Sequence, residues 1–199
     1  MRGEGMPGFN RQLWEVFSGN GLLFICSMFY LAWWTLVFRP GAQSSTAGTI
    51  CITLAFITGI AGLILILVGL NEKTAGYASF SNWMIIAGGI AAYLVLLLVT
   101  KFAFGRTVTS ELLIFTGWAV LELSTANELY GIGRIGAGLN AFLWLMIFIL
   151  FAVCLVCYIL YYRLDAAKGW IDGMIPLISA GAGIDVMMCA EAFSKGRIS

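Results

Sequence analysis

Six runs of about twenty consecutive, mostly apolar residues, separated by short polar breaks, leave this chain very few ways to fold. No soluble core of this size could bury all six. In lipid the backbone must satisfy its own polar groups, so each run is expected to be a helix that crosses the bilayer. The runs cover 20–38, 47–70, 82–104, 109–131, 139–162 and 170–193. Arg39, Pro40 and Gly41 stop the first, Asn71-Glu72-Lys73 the second and Gly105-Arg106 the third. Thr107, Thr109 or Ser110 is the expected N-cap of the fourth. The expected fold class is all-α integral membrane, a bundle of about six transmembrane helices with short loops. Consecutive helices are then antiparallel neighbours, and no extramembrane domain fits between them.

Composition agrees. Of 199 residues, 61% are hydrophobic and 11% charged, with mean hydropathy +0.95, against about 25% charged in soluble domains. Eleven scattered Lys and Arg cannot build a face for nucleic acid. Histidine is absent, which removes the commonest metal ligand and general base and disfavours an intramembrane enzyme. No catalytic residue, cofactor or metal is expected. All five cysteines fall in apolar runs; Cys154 and Cys157 have redox-motif spacing but sit mid-helix, where they read as small packing residues.

Residues 1–19 carry Arg2, Glu4, Arg11 and Glu15 and no apolar core, so they do not read as a signal peptide. Residues 9–18 are expected to form a short interfacial helix, with Phe9, Leu13, Trp14 and Phe17 against the headgroups. The organisation is therefore an N-terminal interfacial segment (1–19), a transmembrane domain (20–193) and a polar tail (194–199). Six spans put both termini on one side. That side carries Arg2, Arg11, Lys73, Arg134, Lys195 and Arg197, against Arg39, Lys101, Arg106, Arg163 and Lys168 opposite. Six against five places the termini in the cytoplasm, at the plasma membrane. Lys101 is expected to snorkel to the interface. Tyr30, Trp33, Trp34, Trp83, Tyr161, Tyr162 and Trp170 read as interfacial belts.

Function is sought among polar residues at membrane depth, because an ionisable group there costs several kcal/mol and marks a pathway or a pair. The fourth run holds Glu111, Glu122, Asn127 and Glu128. At 100° per residue, Glu111, Trp118, Glu122, Thr125 and Leu129 fall within about 40° of one stripe. A glutamate near mid-membrane beside an aromatic is what a solute or proton path needs. It could equally anchor a hydrogen-bond network between helices. Asn127 and Glu128 lie near the helix end, within reach of interfacial water. Asp185, in the sixth run, is a second candidate proton-linked carboxyl, and Asp172 reads as a first-turn acid. Pro176 is expected to kink that helix beside the small-residue run Ser179–Gly183, which itself predicts close helix packing.

The order of features resembles the acetate uptake transporters, a family of small six-helix acetate and succinate–proton symporters or channels. The resemblance lies in Phe56-Ile57-Thr58-Gly59-Ile60-Ala61, in the loop Thr74–Phe80 ahead of Trp83, in Gly117-Trp118, and in a last helix running from Gly169-Trp170 through Gly183-Ile184-Asp185 to Glu191. The family's Asn-Pro-Ala-type motif before the first helix is absent, and Met6-Pro7-Gly8-Phe9 stands there. The resemblance implies a hexamer whose protomers each pass small monocarboxylates through aromatic constrictions. The expectation is therefore a channel or proton-coupled transporter for a small solute, with the bilayer and like copies as partners. The alternative is a non-transporting subunit of a larger membrane complex.

Overall fold

In a computed structural model of the chain, the described residues are 7–42, 46–71, 78–105 and 110–194. They form six α-helices: α1 (Pro7–Phe38), α2 (Thr46–Asn71), α3 (Ala78–Phe104), α4 (Ser110–Gly131), α5 (Ala137–Leu160) and α6 (Ala166–Ser194), with a 3-10 turn at Tyr161–Arg163. The protein is an all-α integral membrane bundle. Five of the helices are long and apolar enough to cross a bilayer. α4 is not among them; it carries Glu111, Glu122 and Glu128, and 12 of its 22 residues are buried.

Neighbours in space follow the order α3–α4–α5–α6–α1–α2, and α4 also touches α6 and α2. α1 and α2 meet through glycines. A Cβ on Gly62 would lie 2.8 Å from the Gly19 carbonyl oxygen, and one on Gly19 would lie 2.9 Å from the Gly62 carbonyl. The two backbones touch, as small residues permit in lipid, where dispersion contacts replace the hydrophobic drive. Large apolar side chains of α2 and α3, such as Phe56, Met84 and Phe102, point outward.

One expectation changes. Residues 9–18 are no separate interfacial helix. They continue into α1, whose 32 residues span about 48 Å, more than the apolar thickness of a bilayer. Trp14 is exposed as expected, but Leu13 is buried in the core. α6 runs through Pro176 without a break. The loop residues Thr74–Tyr77, Thr107, Thr109 and the tail 195–199 lie outside the described residues.

The α4–α5 turn ends α4 sharply. Gly133 adopts φ +72°, Arg134 N–H donates to the Leu129 carbonyl at 2.8 Å and Gly133 N–H to that of Tyr130 at 3.0 Å. This 6→1 and 5→2 pattern satisfies carbonyls that the helix end leaves open, and a side chain at residue 133 would strain it. Asp165 caps α6, accepting from the Lys168 backbone N–H at 2.9 Å and pairing with its Nζ at 3.1 Å.

Candidate solute and proton path

The buried polar side chains gather at two levels. The lower level lies where α1 and α3 begin and α4 and α6 end. There Gln12 of α1 donates to Glu128 Oε1 at 3.1 Å, and Asn82 of α3 donates to Glu128 Oε2 at 3.4 Å. The Asn127 side-chain amide in turn donates to Asn82 Oδ1 at 3.0 Å. Three helices are tied by one carboxylate and three carboxamides. Beside them a small cleft, with about 10 Å³ of room for the centre of a water molecule, is lined by Gln12, Val16, Thr125, Glu128 and Ile132. That is space for about one water.

Deeper in the same half, Asn20 of α1 donates to Glu191 Oε1 of α6 at 2.8 Å. Glu191 in turn faces Glu122 of α4 closely enough for the two charges to interact. Glu122 is wholly shielded from solvent. Among the described residues neither of its oxygens has a hydrogen-bond partner. The Trp118 indole approaches from one turn earlier, yet the pair does not close a well-directed hydrogen bond. Above Glu122 an apolar layer of Trp118, Leu143, Ile147, Ile184 and Met187 fills the bundle. The Trp118 ring packs on Gly183, where a Cβ would sit 2.6 Å from it.

Beyond that layer, at the opposite end, a second polar level holds Glu111, Tyr30, Tyr161 and Asp172, whose charges and hydroxyls feel one another. Aromatics cluster there: Trp34 stacks on Phe38 at 4.4 Å, meets Tyr161 edge-on at 5.7 Å and donates its N–H to the Trp170 carbonyl at 3.0 Å. Two polar levels thus flank one apolar layer.

Of the residues expected on the path, Trp118, Glu122, Thr125 and Glu128 are buried on one side of α4, and half-buried Asn127 joins their network. The Thr125 hydroxyl is used within its own helix, donating to the Leu121 carbonyl at 3.0 Å. Glu111 belongs to the opposite level. Asp185 lies apart from this group, exposed on the outer face of α6. Gln12, Asn20, Asn82 and Glu191 were not anticipated as site residues. Gln12 and Asn20 lie on α1, Asn82 on α3 and Glu191 on α6, and they become partners only through contacts between helices. Cys154 and Cys157 are buried free thiols, with Cys154 Sγ 3.8 Å from the Pro176 carbonyl oxygen.

The chain matches no known family model, characterised protein or solved structure. The site is therefore read from its own chemistry.

Proposed function

We propose that this protein is a proton-coupled transporter of a small solute, with Glu122 as the proton-carrying group. One observation carries the reading: a carboxyl fully buried near the middle of α4, with both oxygens lacking partners, at the boundary between a polar level and an apolar constriction. A group kept only for structure would be hydrogen-bonded, because leaving it orphaned costs stability.

The path descends from Trp118 through Glu122 to the Gln12–Glu128–Asn82–Asn127 lattice, which closes the lower end in this conformation. Among the described residues the buried charged side chains are four acids, Glu122, Glu128, Asp172 and Glu191, and one base, Arg134. That balance repels an anion. A short monocarboxylate, the solute class that the likeness to acetate uptake transporters implies, would pass as the neutral acid. The protein works in the plasma membrane with both termini cytoplasmic, so the lower level faces the cytoplasm. Asp185 on the outer face of α6 supports self-association, since a carboxylate near the Trp118–Gly183 level is costly against lipid and is covered by another copy.

The reading is tested in proteoliposomes loaded with a pH-sensitive dye. Addition of acetate or formate under an inward proton gradient acidifies the lumen faster with wild type than without protein, and Glu122→Gln removes the difference. Wild-type traces equal to protein-free liposomes would refute it. If a second polypeptide co-purifies in fixed ratio, the partner-subunit reading takes over.

A further inference from the structure

Two acids from different helices meet in the sealed part of the bundle. Glu122 of α4 and Glu191 of α6 are both shielded from solvent, and they face one another closely enough for their charges to interact. The packing of α4 on α6 supports that approach. Trp118 lies on Gly183, and Leu123 and Ala126 share one apolar cluster with Met187 and Ala190. Burial penalises each charge and each charge repels the other, so such a pair favours one proton over two charges.

The neighbours offer each carboxyl a donor for its charged form. On α1, Asn20 donates its N–H to Glu191 Oε1 at 2.8 Å. On α4, the Trp118 indole approaches Glu122 from one turn earlier, and its buried N–H has no partner among the described residues. The Ser124 hydroxyl is buried too, but it stands about 200° round the helix from Glu122, on the other side of α4. Asn20 suits either state of Glu191. Its NH₂ donates to a carboxylate, and its buried carboxamide oxygen, which has no partner, accepts from a carboxylic acid once the amide turns over.

The other charges stand apart from the pair. α2 and α5 carry none, and the α5 thiols Cys154 and Cys157 lie toward its far end. Arg11 and Glu15 of α1 bond each other at 2.8 Å, with Arg11 about 13 Å along the axis from Asn20. Lys101 is exposed at the far end of α3, and Arg134 lies beyond the end of α4. Glu111 and Asp172 belong to the opposite level, Glu128 to the lower lattice, and Asp185 looks outward.

We propose that Glu122 and Glu191 hold one proton between them, with Trp118 and Asn20 serving the charge by turns. With the proton on Glu122, Glu191 is the carboxylate and accepts from the Asn20 N–H. In the transfer the Glu122 O–H bond breaks, its electron pair stays on Glu122, and an O–H bond forms on Glu191. The charge has then moved from α6 to α4, where the Trp118 N–H receives it. The Asn20 amide turns over and accepts from the new hydroxyl. The inference deepens the transport reading by giving Glu122 a proton partner, and rests on that reading for where the proton goes next.

Infrared spectra of the full chain in lipid nanodiscs at neutral pH test the pair. A protonated carboxyl absorbs apart from a carboxylate, and its band moves in D₂O. Wild type is expected to show such a band, and Glu122→Gln to lose it. In Glu191→Gln, whose side chain keeps an oxygen for Asn20, the band should remain but shift, because the facing charge is gone. Glu191→Asp should return it toward the wild-type position, and Lys101→Gln should leave it in place. If Glu122→Gln does not fold, Glu122→Asp, which should move the band, decides with Glu191→Gln. Folded wild type without a protonated carboxyl that depends on Glu122, or a band indifferent to both Glu191 variants, would overturn the inference. A coupled band in protein that moves no weak acid would keep the pair and remove the transport reading. Gradient-driven uptake lost in Glu122→Gln, with a band that ignores Glu191, would do the reverse.

Discussion

Asn20 of α1 and Glu191 of α6 are both sealed from solvent and joined by a 2.8 Å hydrogen bond 171 residues apart in sequence. The bond ties the first helix to the last at the depth of the group containing Glu122. Replacing Asn20 by Leu removes this buried donor to Glu191 Oε1. We expect a loss of about 1–3 kcal/mol, the cost of a buried acceptor stripped of its partner. Reversible unfolding in mixed micelles measures it, and no change in stability would show the bond to be incidental.

The glycine contact between α1 and α2 gives a contrast within one residue type. Gly62→Ala places a methyl 2.8 Å from the Gly19 carbonyl, against backbone that cannot rotate away, so the helices must separate. A destabilisation of about 1–3 kcal/mol is expected, as for overpacking elsewhere. Gly88→Ala meets nothing within 4 Å and should leave the midpoint in place. Equal effects of the two would contradict the close approach.

Most of the fold was legible because apolar length alone marks a membrane helix. Side orientation was not. In a bilayer the lipid-facing and core-facing sides of a helix are both apolar, so α6 gives no sequence signal that Asp185 looks outward while Glu191 looks in. The stripe on α4 could be read because Glu111, Glu122 and Thr125 repeat on one side of a single helix, and Glu122 and Trp118 were found that way. Gln12 and Asn82 could not, since their partner Glu128 is on another helix. The polar first turns of α1 look like a surface segment until their burial against α4 is seen.

Asp165, in the loop before α6, supplies a pH dependence of known sign. Hydrogen bonds from the Lys168 backbone and side chain hold its carboxyl below the ordinary value of 3.8. A depressed carboxylate contributes stability that is fully present above the unfolded value and is lost as pH falls through the folded one. Asp165→Asn should therefore lower the melting temperature slightly at neutral pH. The gap from wild type should close below pH 3.8. A gap that persists at low pH would mean the charge is not the cause.

The outward position of Asp185, on the same face of α6 as exposed Cys189, predicts where copies meet. Mild oxidation of the protein in membranes should cross-link Cys189 between copies. Asp185→Leu should weaken that cross-linking and leave the fold intact. Cross-linking that requires neither residue would place the contact elsewhere.

The central claim rests on Glu122, and one measurement meets it directly: uptake of labelled acetate, formate and urea into proteoliposomes, with and without an inward proton gradient, wild type beside Glu122→Gln. The account predicts saturable uptake of at least one weak acid, stimulated by the gradient, that falls to the protein-free level in the folded mutant. Uptake unchanged by the mutation, or no uptake of any of the three by folded, inserted wild type, would contradict it.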